Sequence, residues 1–278
     1  MIFLLLAVCS SSMVAIMMRV SSDRISANLS MLATNYLICS LLGLAYAGFD
    51  VVALSIPGFS VTLWLGLVSG VLYLAGFVAF QTNTRKYGIV LSSVFMKLGL
   101  LVPIVMSVLF FREMPSFTQI TGFGIAVFAI VLINWSKEEN GKRFGIGLIV
   151  MLLLSGGADA MAKIFETFGP ESLSQQYLFY TFATAFVLCL ILVAQKREKP
   201  GFMEFLCGTL IGVPNFFSAK FLLGALGQLP AVVVYPTFSV GTLLIVTLSG
   251  VVVFKERLRK VQWFALVAII GALILLNI

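Results

Sequence analysis

Histidine is absent from this 278-residue chain, and charged residues make up only 10% of it. Without histidine, the usual ligands of a zinc or haem site and the base of a serine–histidine–aspartate triad are missing. The four cysteines, Cys9, Cys39, Cys189 and Cys207, lie inside apolar runs and lack the spacing of a metal site. We therefore expect no metal, no cofactor and no enzymatic activity.

Hydrophobic residues, in contrast, make up 60% of the chain. A typical soluble domain is about half apolar and a quarter charged, and one core cannot bury so large an apolar excess. A lipid bilayer can take the place of that core. The net charge of +7 comes from short basic groups between the apolar runs. This pattern indicates a multi-pass protein of the cell (inner or plasma) membrane and argues against a nucleic-acid partner.

Ten apolar runs each approach the length of about 20 residues that a helix needs to cross a bilayer. They are residues 1–20, 29–48, 60–82, 88–111, 116–134, 144–166, 173–194, 203–226, 230–253 and 259–277. The first run lacks the basic start and the cleavage site of a signal peptide, so we interpret it as a membrane helix. Pro103, Pro214 and Pro236 fall inside runs and predict kinks. The predicted fold class is an all-α membrane protein with ten transmembrane helices.

The two halves of the chain share polar residues at a constant offset of 143 positions. The pairs are Glu113 and Glu256, Gln119 and Gln262, and Asn134 and Asn277. Chance similarity between apolar helices does not readily produce polar identities in one register. We therefore predict two five-helix repeats, residues 1–140 and 141–278. Because five is an odd number of crossings, the repeats are expected to be inverted, as in secondary transporters that bind their substrate between two such repeats.

The segments that end each half resemble the drug/metabolite transporter superfamily, in its EamA-like ten-helix branch. The shared features are a helix with an internal proline, a short turn carrying Glu113 or Glu256, and a Gly/Ala-rich last helix that begins near Gln119 or Gln262. The resemblance implies two inverted five-helix repeats around a central cavity and transport by alternating access. By family analogy, helices 1, 3, 4, 6, 8 and 9 would line that cavity.

The basic residues are distributed unevenly among the connections between the predicted helices. All but four of the 18 Lys and Arg residues fall in or beside the odd-numbered connections. The positive-inside rule then places these connections in the cytoplasm and both termini outside. Members of the resembled family look to have both termini inside, so the two expectations conflict.

Three charged residues stand out well inside predicted helices, namely Lys97, Asp159 and Lys220. An ionised side chain at the centre of a membrane helix costs about 2.5–3.5 kcal/mol on insertion scales, and such residues usually have a function. We predict that these three bind the substrate or couple its movement to an ion, with Lys97 the strongest candidate because its neighbours are apolar. The alternative is a structural ion pair, since Lys163 could neutralise Asp159, and Lys220 could reach Asp159 from another helix.

Polar and aromatic side chains of three further helical stretches complete the predicted site. They are Tyr73, Phe77 and Gln81 in the third helix, Asn215 in the eighth, and Tyr235, Ser239 and Thr242 in the ninth. A polar stripe of this kind is as often a hydrogen-bonded helix contact as a cavity wall. Two glycine pairs, Gly66 with Gly70 and Gly208 with Gly212, have the spacing that allows helices to pack closely.

The predicted function is secondary transport of a small metabolite, either coupled to protons or by exchange. The net positive charge of the three intramembrane residues predicts an anionic group on the substrate, as in an amino-acid-like metabolite or an organic acid. A lipid-carrier flippase and a multidrug or cation exporter of the same superfamily are the alternatives. The first helix has no acidic residue, which disfavours the cation exporter. The expected partners are the substrate and membrane lipid, and the expected state is a monomer or homodimer.

Overall fold

The computed structural model describes residues 1–22, 25, 27–52, 56–87, 89–134, 145–253, 255 and 260–278. These residues form eleven α-helices and one short 3₁₀ helix, and none of them belongs to a β-strand. An apolar chain in lipid must pair its backbone polar groups within itself, and a helix does this within one segment. The predicted all-α membrane fold is confirmed.

The helices follow the predicted apolar runs closely. They are α1 (Ile2–Ser22), α2 (Asn28–Tyr46), α3 (Phe59–Tyr87), α4 (Ile89–Leu98), α5 (Leu101–Phe110), α6 (Phe117–Asn134), α7 (Ile146–Phe168), α8 (Ser174–Lys196), α9 (Phe202–Leu226), α10 (Ala231–Val252) and α11 (Lys260–Leu276), with the 3₁₀ helix Glu171–Leu173 before α8. Each run gives one helix, except that the run 88–111 gives both α4 and α5.

Seven of the described helices are long and apolar enough to cross a membrane, judged by length and composition. They are α1, α2, α3, α7, α8, α9 and α10. Three shorter apolar helical segments are Phe95–Phe110, Phe117–Leu132 and Trp263–Leu276. The chain is therefore a multi-pass membrane protein, and the number of ten crossings stays a prediction.

The interruption between α4 and α5 differs from the kink that Pro103 predicted. The helix breaks at Gly99 and Leu100, and Pro103 is the third residue of α5. In the first turn of a helix the amide that proline lacks would have no intrahelical partner, so proline is tolerated there. Pro214 and Pro236 lie inside α9 and α10 as expected, and the kinks predicted there stay predictions.

The described chain divides into two compact units, and each unit combines segments from both halves of the sequence. The first consists of Met1–Leu74 and Met161–Gln228, and the second of Ala75–Ala160 and Leu229–Ile278. The predicted repeats 1–140 and 141–278 are a division of the sequence rather than of these units, and they stay a prediction.

In the first unit, the two glycine pairs lie where helices pack most closely. A Cβ atom on Gly66 of α3 would lie 2.6 Å from the Cβ of Tyr180 on α8. A Cβ atom on Gly208 of α9 would lie 2.6 Å from the carbonyl oxygen of Met31 on α2. The close packing predicted from the glycine spacing is therefore confirmed.

In the second unit, polar contacts join helices that are distant in sequence. The side-chain amide of Asn83 on α3 donates a hydrogen bond of 3.0 Å to the carbonyl of Gly147 on α7. The amide of Asn277, after α11, donates one of 3.4 Å to the hydroxyl of Thr237 on α10. Such bonds give buried polar side chains the partners that lipid cannot supply.

Candidate functional site

A cavity of about 410 Å³ lies in the first unit, at the end where α7 leads into α8 and where α9 ends. Its aromatic wall consists of Phe3, Phe165 and Phe221. Its charged and amide side chains are Glu166, Glu171, Gln175, Lys220 and Gln228. A concave site of this size, with aromatic and polar side chains in its wall, has the form of a small-molecule pocket.

Lys220 brings a positive charge to this cavity. Its side chain is half-buried, and Nζ lies 3.3 Å from the centroid of the Tyr46 ring at the end of α2. Within the described part of the chain, Lys220 forms no ion pair with a carboxylate. An ammonium group over a ring face is attracted by the electrons of the ring, but its charge is not neutralised.

The other ionised groups of the cavity are carboxylates. Nζ of Lys163 lies 2.7 Å from a carboxylate oxygen of Glu166, so these two charges neutralise each other. Glu171 lies in the 3₁₀ helix and is exposed. The Oε1 atom of Gln175 is buried and has no hydrogen-bond partner among the described residues. The cavity wall therefore combines a cation, carboxylates and amide side chains.

Lys97 and Asp159 both belong to the second unit. Lys97 lies near the end of α4 and Asp159 lies in α7, and both side chains are half-buried. The two charges interact electrostatically, although no direct ion pair joins them in the described part of the chain. The hydroxyl of Tyr235 donates a hydrogen bond of 2.7 Å to the carbonyl of Asp159. Three predicted site residues, Lys97, Asp159 and Tyr235, thus lie on or near α7. Their role in binding or coupling stays a prediction.

The remaining predicted residues have varied surroundings. Thr242 is buried, and its hydroxyl has no partner among the described residues. Ser239, Phe77 and Gln81 are half-buried. The ring of Tyr73, in the first unit, lies 6.0 Å from that of Phe182. None of these contacts shows that a ligand binds there. The placement of these residues in a substrate site therefore stays a prediction.

Asn215 takes part in a contact between helices rather than in the cavity. Its amide donates a hydrogen bond of 3.1 Å to Oδ1 of Asn35 on α2. Of the predicted residues in the first unit (Tyr73, Asn215 and Lys220), only Lys220 borders the large cavity.

Several residues around Lys220 were not predicted from the sequence. Tyr46 ends a membrane helix, where tyrosine is common, so its presence there does not by itself indicate a functional site. Glu171, Gln175 and Gln228 lie at or near connections, where polar residues are expected whatever the function. Gln175 lies at the start of a predicted helix, next to a connection that carries few basic residues, and Lys220 lies near the end of its helix at a connection of the same kind. A search for polar helical residues near these connections would have included Gln175.

Some sequence-based predictions concern residues outside the described ranges. These are Glu256 in the second turn motif and the basic residues Arg24, Lys137, Lys142, Arg143, Arg257 and Arg259. The orientation inferred from the basic residues therefore stays a prediction.

Comparison with known proteins identifies the family. The sequence profile of the EamA-like transporter family matches residues 1–135 and again residues 143–278. A protein of Haemophilus influenzae described as uncharacterized is 26% identical over 213 residues, which cover 74% of this chain and 72% of that protein. A solved crystal structure matches with a TM-score of 0.74 over 99% of this chain and 94% of the other, and at 14% identity this shows likeness of fold alone.

The two profile matches together cover nearly the whole chain. They confirm the resemblance to the drug/metabolite transporter superfamily and agree with the apolar helices that are able to span a membrane. The chain therefore belongs to the EamA-like transporter family, a family of multi-pass membrane transporters of small molecules rather than of enzymes.

Proposed function

We propose that this protein is a secondary transporter that carries a small amino-acid-like metabolite across the membrane by alternating access. The main support is the cavity of the first unit, where the Lys220 ammonium has no carboxylate partner among the described residues. Family membership supports small-molecule transport, and the chemistry of the cavity wall supports the substrate class.

The cavity groups suit a zwitterion better than an organic acid. The carboxylate of an amino acid would bind Lys220, and its ammonium would approach Glu171 and the amide side chain of Gln175. A dicarboxylic acid would satisfy Lys220 equally well, but its second carboxylate would meet Glu166 and Glu171. Like charges at short range repel each other, so these carboxylates disfavour a second negative charge on the substrate. The phenylalanine rings of the wall would accommodate an apolar substrate side chain.

We assign the coupling of transport to Lys97 and Asp159 in the second unit. Their charges interact without a direct ion pair, and each lies in an apolar helix. An ionised group that lacks a close partner in an apolar environment is costly. Gain or loss of one proton by Lys97 or Asp159 would therefore change the free energy of the protein conformation that holds them. This pair is therefore suited to respond to a proton during the transport cycle.

Uptake into liposomes that contain the purified protein tests the proposal. The panel consists of labelled L-serine, L-phenylalanine and succinate, the cation tetraphenylphosphonium, and a fluorescent polyprenyl phosphate as lipid carrier. We expect saturable uptake of at least one amino acid. In Lys220→Met, uptake at low substrate concentration should fall strongly through a raised KM, with residual uptake at high concentration. Lys196→Met removes an exposed lysine at the end of α8 and should leave uptake unchanged.

The other probes identify the alternatives. Transport of succinate alone would contradict the zwitterion and favour an organic acid. Transport of tetraphenylphosphonium alone would indicate a cation exporter, and movement of the lipid carrier between leaflets would indicate a flippase. Equal amino-acid uptake by the wild type and Lys220→Met would remove Lys220 from the binding site.

A further inference from the structure

We propose that Tyr46 is a positioning residue that sets substrate affinity by holding the Lys220 ammonium on the face of its ring. The inference rests on the proposed function in one respect, namely that Lys220 binds the carboxylate of the substrate. The distance between Lys220 Nζ and the Tyr46 ring centroid is 3.3 Å, which is contact distance for a cation on an aromatic face.

A ring differs from a carboxylate as a partner for a half-buried lysine. A carboxylate would neutralise Lys220 and would have to be displaced before a substrate carboxylate could bind. A tyrosine ring attracts the ammonium without carrying a net charge, so it partly offsets desolvation and leaves the positive charge available. Tyr46 therefore keeps Lys220 ordered at the cavity wall and ready for an anion.

The Tyr46 ring is itself held in place by α9. Phe216 stacks against it with ring centroids 5.6 Å apart and planes at 27°, and Phe217 meets it edge-on at 6.0 Å and 86°. Phe216 and Lys220 are four residues apart and so lie on the same side of α9. One helix thus supplies both the cation and the rings that orient Tyr46, which fixes their mutual geometry.

A purely structural role for Tyr46 makes a different prediction. Loss of a packed ring would lower stability whatever side chain occupies position 220. A positioning role acts through Lys220, so the effect of a Tyr46 substitution on affinity must disappear when Lys220 is absent. Tyr46→Leu removes the aromatic face, and Tyr46→Phe preserves it.

The geometry can be tested without a substrate. Reductive methylation with ¹³C-formaldehyde labels the lysine amines, and the Lys220 methyl signal is assigned by its loss in Lys220→Arg. We expect an upfield ring-current shift of this signal in the wild type, its absence in Tyr46→Leu and its return in Tyr46→Phe. A Lys220 signal at the position of exposed lysines in the wild type would overturn the proposal.

The consequence for transport is tested in liposomes with L-serine or whichever amino acid of the panel is taken up. We expect Tyr46→Leu to raise KM about three- to fivefold, in line with a partly exposed cation–π contact of about 0.5–1 kcal/mol, with little change in kcat. Tyr46→Phe should restore the wild-type KM. Phe49→Leu is the matched control, because Phe49 is an exposed aromatic residue just after the same helix.

The double variant decides between the two roles. In Lys220→Met, the further change Tyr46→Leu should not alter the remaining KM. An unchanged KM in Tyr46→Leu, or an equal increase with and without Lys220, would overturn the positioning role. If the wild type carries no amino acid of the panel, the proposed substrate class fails, and the methyl signal still decides whether Tyr46 holds Lys220.

Discussion

The carboxylate of Glu113 accepts a hydrogen bond of 2.7 Å from the backbone amide of Ala231, and both residues belong to the second unit. Ala231 is the first residue of α10, and the N-cap residue Pro230 makes no side-chain capping bond. The first amides of a helix have no partner within it, and a carboxylate near them also interacts favourably with the helix dipole. Glu113, in the turn between α5 and α6, thus caps α10 from a distant part of the sequence.

We expect Glu113→Ala to lower the free energy of unfolding by about 1–2 kcal/mol, because the Ala231 amide loses its acceptor. Glu113→Gln should have a smaller effect, since the neutral amide oxygen still accepts. Thermal unfolding of the detergent-purified protein measures both. Met114→Ala, at a side chain that is 80% exposed, is the control. Equal melting temperatures for Glu113→Ala and Met114→Ala would contradict the capping role.

Gly70→Ala should destabilise the protein by about 1–3 kcal/mol, the usual cost of overpacking. A Cβ atom there would lie 2.6 Å from the Cβ of Thr184 and 3.1 Å from the amide nitrogen of Ala185, so α3 and α8 would have to separate. Gly124→Ala is the matched control, since nothing lies within 4 Å of the added atom. It should be neutral or slightly stabilising, because alanine favours helix more than glycine does. Similar losses at both positions would show that crowding is not the cause.

The Asn35–Asn215 bond is suited to a double-mutant cycle. Asn35 is only 2% exposed, and the side chain of Asn215 donates to it at 3.1 Å. We expect a coupling free energy of about 0.6 kcal/mol, and at most about 1.7 kcal/mol, between Asn35→Ala and Asn215→Ala, the average and the maximum for such bonds between membrane helices. The KM for substrate should not change in the stable variants. A large rise in KM for Asn215→Ala, without loss of stability, would support the predicted role of Asn215 in substrate binding.

Neutralising one member of the Lys97–Asp159 pair should separate coupling from binding. We expect Asp159→Asn to lose accumulation driven by a pH gradient but to retain exchange of labelled for unlabelled substrate, because the proposed cavity groups are untouched. Lys97→Met leaves an isolated carboxylate in α7 and should express poorly. The double variant should recover expression, since it removes both intramembrane charges. Gradient-driven accumulation that persists in Asp159→Asn would exclude Asp159 from coupling.

The helices were predictable because lipid imposes a simple rule on sequence. Each apolar run must form a helix to pair its backbone, so hydropathy alone located α1, α7 and α10 to within a few residues. The break at Gly99 and Leu100 was not predictable in the same way. It lies in the middle of an apolar run, and the close approach of Gly156 on α7 to this junction is a tertiary contact that sequence spacing does not reveal.

The candidate site was only partly predictable for a similar reason. Lys220 stood out because an ionised residue within an apolar helix is costly and therefore informative. Tyr46, its partner, lies far away in the sequence and is of a type common at helix ends. Gln175 is informative only through the lack of a partner for its buried oxygen, a property of the folded protein.

The junction between α4 and α5 also has a consequence for hydrogen–deuterium exchange of the backbone amides. The amides of Gly99 and Leu100 donate to the carbonyls of Met96 and Lys97 over 3.2 and 3.4 Å, in single turns that are weaker than a continuous α-helix. In the proposed coupling role, water that solvates Lys97 would also reach these neighbouring amides. Gly99 and Leu100 should therefore become labelled earlier than amides in the middle of α9, and most rapidly while substrate is turning over.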